Sequence, residues 1–177
     1  MEAKETSTQE RYVLVVTCVV LREDPVNGLQ ALILKRSEKE SEGPGLWTVP
    51  GGKITKSDWG EPCYTINGHA VWRSVLSRAV ARELFEETGI EVSPESFTFL
   101  QDGDLVFMRK EGIPTLVTTF SLFFEGNPME IRLDQDSVGY RWVSKEELGG
   151  YVLIGLLEKQ INAVFGEYAK TTVMHPQ

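Results

Sequence analysis

Arg82-Glu83-Leu84-Phe85-Glu86-Glu87-Thr88-Gly89-Ile90 is the stretch from which the rest of this chain can be read. At about 100° per residue, a helix carrying it brings Glu83, Glu86 and Glu87 into one arc about 100° wide. Glu83 and Glu87 form an i,i+4 like-charge pair, which weakens a helix by roughly 0.2–0.5 kcal/mol, and negative charge near a helix C-terminus opposes the macrodipole. Such a cluster requires a positive partner. Arg78 and Arg82 offset part of it, and three converging carboxylates also match the oxygen-rich, octahedral demands of magnesium or manganese. The plain alternative is a solvated acidic face. Against it, Leu76, Ala79, Val80, Ala81, Leu84 and Phe85 place apolar or small residues around much of the circumference, so the helix packs on more than one side and its acids look into a crevice.

Working outward, Ser74 is an N-cap candidate, Leu76, Val80 and Leu84 recur every fourth position through Val75–Thr88, and Gly89 fits a left-handed C′ residue. Upstream, Tyr12–Leu21 and Leu29–Leu34 read as paired strands across the turn at Asp24-Pro25-Val26-Asn27-Gly28. Leu46–Val49 reads as a strand ending in the turn Pro50-Gly51-Gly52, whose exposed backbone can approach a phosphate or metal closely. Lys53–Gly68 is polar and broken by Gly60, Pro62 and Gly68, so it reads as a long loop with room for a local turn of structure. Downstream, Phe97–Leu100, Leu105–Met108, Leu116–Phe124, Glu130–Leu133 and Tyr140–Val143 read as strands, the third long enough to be central. Ser144 with Glu147 at N3 marks a helix start, and Tyr151–Tyr168 an amphipathic helix with Leu156, Leu157, Ile161 and Val164 on its apolar side. The order predicts an α/β (α+β) fold with a mixed sheet between helices.

At 177 residues the chain fits one domain, expected over 11–170, with a disordered tail at 1–10 and a C-terminal tail at 171–177. A net charge of −8 argues against a surface that neutralises a nucleic-acid polymer, but leaves small anions held through a metal. Cys18 and Cys63 lack CxxC spacing and are expected to be reduced thiols of a cytoplasmic protein. No leader and no membrane association are expected, because Met1–Glu10 is polar and no apolar run approaches the roughly 20 residues of a span. His69 and His175 are too scattered for a histidine metal site or a catalytic triad, and no GxGxxG or Walker pattern is present.

Residues 82–90 resemble the signature of the Nudix hydrolases, G-x5-E-x7-R-E-U-x-E-E-x-G-U with U apolar, at every specified position of its second half. Chance would produce that match in a chain of this length with a probability on the order of 10⁻⁵ to 10⁻⁴. Leu46–Lys53 looks like the family's strand and glycine turn, and Arg141–Leu148 like its late strand-to-helix junction, so the similarity spans roughly residues 12–165. The first half departs from the pattern. Counting back from Arg82 puts Ser74 where the family has Glu and Gly68 at the family's Gly. Starting instead from Gly52 implies an insertion of 16 residues. The insertion is preferred because Gly52 ends the expected strand, and the family's Glu is then taken as replaced by Ser74.

The resemblance implies an α/β/α sandwich and Mg2+-dependent hydrolysis, with Mn2+ as the alternative ion. Glu83 and Glu87 would be the principal ligands, Glu86 a further ligand or the base, and Arg82 the ion-pairing partner that holds them, with the Gly51 carbonyl completing the site. Asp136, six residues before Trp142, would be the late acid, and Glu86, Glu83 or Asp136 would take the proton from the attacking water. Gly52 and Lys53 at the glycine turn, and Trp59 in the inserted loop, would face a substrate made of a nucleoside diphosphate linked to another moiety: a nucleotide sugar, a dinucleoside polyphosphate or a nucleoside triphosphate. Trp47 is expected in the core. A homodimer is open. The competing reading is a catalytically weak domain of the same family that binds a nucleotide as a sensor or partner module, motivated by Ser74 and the insertion. An isoprenoid-diphosphate isomerase on the same fold is disfavoured, because the Cys and His metal pattern is not evident.

Overall fold

Strand β1 (Val13–Asp24) organises the molecule, because its side chains alternate between two cores. Val16, Cys18 and Val20 point to one, Val19 and Leu21 to the other, all at 2% exposure or less. A computed structural model describes residues 11–101, 103–108 and 112–174. Strand β2 (Gly28–Arg36) follows antiparallel across the turn and repeats the alternation, Ala31 and Ile33 on one side, Leu32 and Leu34 on the other. This period-2 burial on both faces marks the sheet as the middle layer of three.

Strand β3 (Trp47–Thr48) pairs with β2, and β4 (Gly51–Lys53) pairs antiparallel with β1 at Val15–Thr17. The chain then makes a 3-10 turn, Lys56–Trp59, and an outlying hairpin of β5 (Tyr64–Ile66) and β6 (His69–Val71) before helix α1 (Val75–Thr88). Strands β7 (Thr98–Phe99) and β8 (Leu105–Met108) both pair with β9 (Pro114–Phe123). Strand β9 lies parallel to β1 over Val13–Leu21, and β10 (Ser137–Ser144) pairs antiparallel with β2. The order β10-β2-β1-β9-β7 is therefore a mixed sheet, as expected. Helix α1 covers one face with Ala79, Val80 and Leu84; α2 (Leu157–Met174) covers the other with Leu157, Ile161, Val164 and Phe165.

Several expectations need correction. Lys53–Gly68 is not one loop, because Asn67-Gly68, both at positive φ, forms the turn of the β5–β6 hairpin. Gly68 is thus a turn glycine. Glu130–Leu133 is not a strand: Arg132 N–H donates to the Thr88 carbonyl at 2.8 Å, and Ile131 and Leu133 bury against the α1-side core rather than joining the sheet. Ser144 and Glu147 do make reciprocal bonds, Ser144 N–H to Glu147 Oε2 at 2.8 Å and Glu147 N–H to Ser144 Oγ at 3.3 Å, but the result is only a 3-10 turn, Leu148–Gly150. The last helix starts at Leu157 rather than Tyr151, after Gly155 at φ +58°, and leaves Leu156 exposed. It runs to Met174, past the boundary expected at 170; the tail at 1–10 and residues 175–177 lie outside the described residues.

Candidate functional site

Helix α1 has the limits its sequence suggests, and Gly89 ends it at φ +72° with its N–H on the Phe85 carbonyl at 2.8 Å. Its start differs. Ser74 sits at φ +56° in the left-handed region and makes no side-chain capping bond. The polar chemistry of the helix is centred instead on Arg82, whose five N–H groups are all engaged. Nε donates to Asp58 Oδ1 at 2.7 Å, Nη2 to Asp58 Oδ2 at 3.0 Å and to the Lys53 carbonyl at 3.1 Å, and Nη1 to Glu83 Oε1 and Glu86 Oε2, each at 2.8 Å.

Asp58 is the residue the sequence reading missed. Its side chain is 2% exposed and forms a fork with Arg82 while also accepting the Thr55 N–H at 2.7 Å and the Thr55 hydroxyl at 3.0 Å. Burial works against its charge, yet the Arg82 and Thr55 hydrogen bonds hold it below the usual carboxylate range. Asp58 lies six residues after Gly52, the spacing at which the signature carries its first acid. The acid is therefore present as Asp, and the 16-residue insertion follows it. Two signals were available: the count forward from Gly52, and Thr55 three residues before Asp58, which reads as a local capping pair.

Burial, first of all, raises the Glu83 pKa, with Glu86 and Asp58 adding to the effect against the pull of Arg82. Gly52 lies directly beneath it: a Cβ there would stand 2.4 Å from the Glu83 carboxyl carbon, so only glycine leaves room for the acid. Glu86 is 54% exposed on the same face. Glu87 accepts the Gly51 N–H at 2.9 Å and has no ion-pair partner among the described residues. Desolvation pushes its pKa up to about 8 against the pull of the Gly51 N–H and the more distant Arg36, with Glu83 and Asp134 adding to the rise. Gly51 itself, at φ +155°, has no space for a side chain against the Val16 carbonyl.

The other expected residues are spread more widely. Asp136 is exposed, its carbonyl accepting the Ser37 N–H at 2.8 Å; the late acid acting on Glu87 is Asp134, whose Oδ1 also accepts the Asp136 and Ser137 N–H groups at 3.1 Å. Lys53 is exposed at the end of β4. Trp59 is 39% exposed and stacks edge-on against Trp72 at 5.0 Å. Trp47 packs on the α2-side core against Tyr151 at 5.1 Å. Both cysteines are free thiols, Cys18 buried and Cys63 exposed.

The donor set suits a hard divalent cation: carboxylate oxygens beside Gly51 and Gly52, which the structure places in strand β4 rather than in the expected turn, two of the carboxylates desolvated and one without an ion-pair partner among the described residues. Among the described residues no three acids are already drawn around one point, and Arg82 holds one oxygen each of Glu83 and Glu86. Their second oxygens and the Glu87 carboxylate remain for coordination.

A family model described as the NUDIX domain matches residues 11–164. The chain belongs to the Nudix family. It is 33% identical over 93 residues to the phosphatase NudJ of Escherichia coli K12, which covers 48% of this chain and 58% of NudJ, so the match spans less than two thirds of that relative. Among solved structures, the NUDIX domain of Shewanella oneidensis NrtR in complex with ADP ribose superposes with a TM-score of 0.67 at 16% identity, covering 90% of each chain. A Caenorhabditis elegans Ap4A hydrolase superposes with a TM-score of 0.61 at 21% identity, covering 89% of this chain and 98% of that one. At these identities the structures establish the Nudix fold. Among the described residues no helix is long and apolar enough to cross a membrane.

Proposed function

We propose that this Nudix protein hydrolyses a phosphoanhydride bond in a nucleotide, using Mg2+ or Mn2+ held by Glu83 and Glu87 with Glu86 beside them. The observation that carries the reading is Glu87, a carboxylate in a desolvated crevice with no ion-pair partner among the described residues, on the same helix as Arg82, whose donors are already committed to Asp58, Lys53, Glu83 and Glu86. A cation there relieves the cost of burying Glu87 and Glu83 together.

When bound, the metal acts as a Lewis acid that lowers the pKa of the attacking water and neutralises charge on the leaving phosphate. The chain supplies the rest. Gly51 and Gly52 at the start of β4 keep the floor of the site free of side chains, and the Gly51 carbonyl is available as a further ligand. Lys53, exposed at the end of β4, offers its ammonium to a phosphate oxygen. Glu86, exposed and held by one oxygen to Arg82, is the best placed group to accept the water proton as oxygen bonds to phosphorus and the bridging P–O bond breaks; Glu83 and the late acids are the alternatives. Trp59 presents an aromatic edge to a nucleobase.

The substrate class is a nucleoside diphosphate joined to a second moiety. ADP ribose and Ap4A, the ligand and substrate named for the two structural neighbours, are the first compounds to try. The sensor reading loses its main motive, since Asp58 stands at the position of the acid that Ser74 lacks. The test is incubation with nucleotide sugars, dinucleoside polyphosphates and nucleoside triphosphates, with and without Mg2+, following release of nucleoside monophosphate or phosphate. Metal-dependent turnover that falls more than about 100-fold in Glu87→Gln is expected, beyond the 10- to 100-fold typical of losing a supporting group. No turnover of any compound, or full turnover in Glu87→Gln, would overturn the proposal.

A further inference from the structure

Arg78 lies one helical turn before Arg82, outside every specified position of the Nudix signature, and its guanidinium contacts the same residue. Arg78 Nε donates to the Asp58 carbonyl at 2.7 Å and Nη2 to the Trp59 carbonyl, while Arg82 grips the Asp58 carboxylate. In an uninterrupted signature the acid is eight residues from the arginine, and a short chain holds the two in register. Here they are 24 residues apart. The chain leaves for its excursion immediately after Asp58, at the two carbonyls that Arg78 holds.

The excursion also closes on itself. Trp72 Nε1 donates to the Gly60 carbonyl at 3.2 Å, Cys63 N–H to the Val71 carbonyl at 2.9 Å, and Trp59 and Trp72 stack. Beyond that neck Glu61–Ala70 is exposed throughout, and among the described residues the hairpin forms a two-stranded sheet unpaired with the main one. Without a clamp at its root, motion of this arm would be transmitted to Asp58 and, through the saturated Arg82, to Glu83 and Glu86.

We propose that Arg78 is a positioning residue for the carboxylate site: by holding the Asp58 and Trp59 carbonyls it replaces the covalent coupling that the insertion removed, and keeps Asp58 aligned on Arg82. This rests on the metal-hydrolase reading for its kinetic consequence, but not for its structural one. The arginine also differs from a lysine here, since a planar fork reaches two adjacent carbonyls and one ammonium cannot hold both in the same geometry.

The experiment compares Arg78→Met and Arg78→Lys in the full chain and in a variant with Trp59–Ser74 deleted, which joins Asp58 to Val75 and restores the eight-residue spacing. Nitrogen-15 NMR follows hydrogen exchange of the Arg82 Nε–H, assigned with Arg82→Lys, and steady-state kinetics follow kcat and KM. The expected result is exchange at least about tenfold faster in Arg78→Met, an intermediate value in Arg78→Lys, and kcat lowered about tenfold or more with KM within about threefold. In the deletion background Arg78→Met should cost little of either. Unchanged Arg82 exchange in Arg78→Met and Arg78→Lys, or the same losses in both backgrounds, would overturn the proposal. Absence of turnover in the unmodified chain would instead sink the hydrolase reading, while the exchange arm still decides the role of Arg78.

Discussion

Two neighbouring segments between Gly52 and helix α1 are built in opposite ways. In the 3-10 turn Lys56–Trp59, Asp58 is buried, pairs twice with Arg82 and twice with Thr55, and has its own carbonyl held by Arg78. A few residues later the β5–β6 hairpin exposes Tyr64 and Ile66 and bonds chiefly within itself. The first segment is fixed by polar side chains from another element; among the described residues the second is held by its own strand pairing, turn and neck. The Nudix signature therefore survives a 16-residue interruption because its first acid stays on the fixed side of the break.

The sharpest way to break that contrast is Asp58→Ala. It strands the Nε–H and one Nη2–H of Arg82, and because Arg82 is 25% exposed the loss should fall near the low end for a broken buried pair, about 3 kcal/mol by denaturant unfolding. A change below about 1 kcal/mol would mean that the fork contributes little.

A second effect is pH-dependent. In protein freed of divalent cations the folded state holds the Glu87 proton up to about 8, far above the ordinary 4.5. A raised pKa means that the folded state binds this proton more tightly than the unfolded chain does. The contribution of Glu87 is therefore fully present below pH 4.5 and is lost as pH rises towards 8, so stability should decline across that window. Glu87→Gln should flatten the decline, read from Tm at a series of pH values; an identical slope in the variant would contradict the desolvated placement.

The smallest expected effect is at Ser74. A non-glycine residue at φ +56° is strained, so Ser74→Gly should stabilise the protein by about 1 kcal/mol. Loss of stability would mean that the serine side chain has a role the structure does not give it.

The helix and its acids could be read early because they lie within nine consecutive residues, where the 3.6-residue period and the Gly89 stop act locally. Strands β1 and β2 were readable for a similar reason, being apolar on both faces. Asp58 is hidden in the sequence because its partner Arg82 lies 24 residues away, with the insertion between them. The hairpin is harder to read although Asn67-Gly68 carries its turn signal, since Gly60 and Pro62 break the pattern before it. Spacing does not distinguish Asp134 from Asp136, since both lie in the turn before β10, and it is the charge of Asp134 that acts on Glu87. Ile131 and Leu133 alternate like a strand, yet bury against the end of α1, a packing choice that periodicity does not encode.

The identity of the first acid is the point on which the site stands, and one kinetic comparison tests it: Mg2+-dependent kcat/KM, on the fastest compound of the panel, for the unmodified protein, Asp58→Asn, Ser74→Glu and the double variant. Asp58→Asn should lose about 10- to 100-fold, as expected for a residue that supports metal ligands. Ser74→Glu alone should change little, and adding it to Asp58→Asn should restore nothing. Full activity in Asp58→Asn, or recovery in the double variant, would contradict the account by returning the acid's place to position 74.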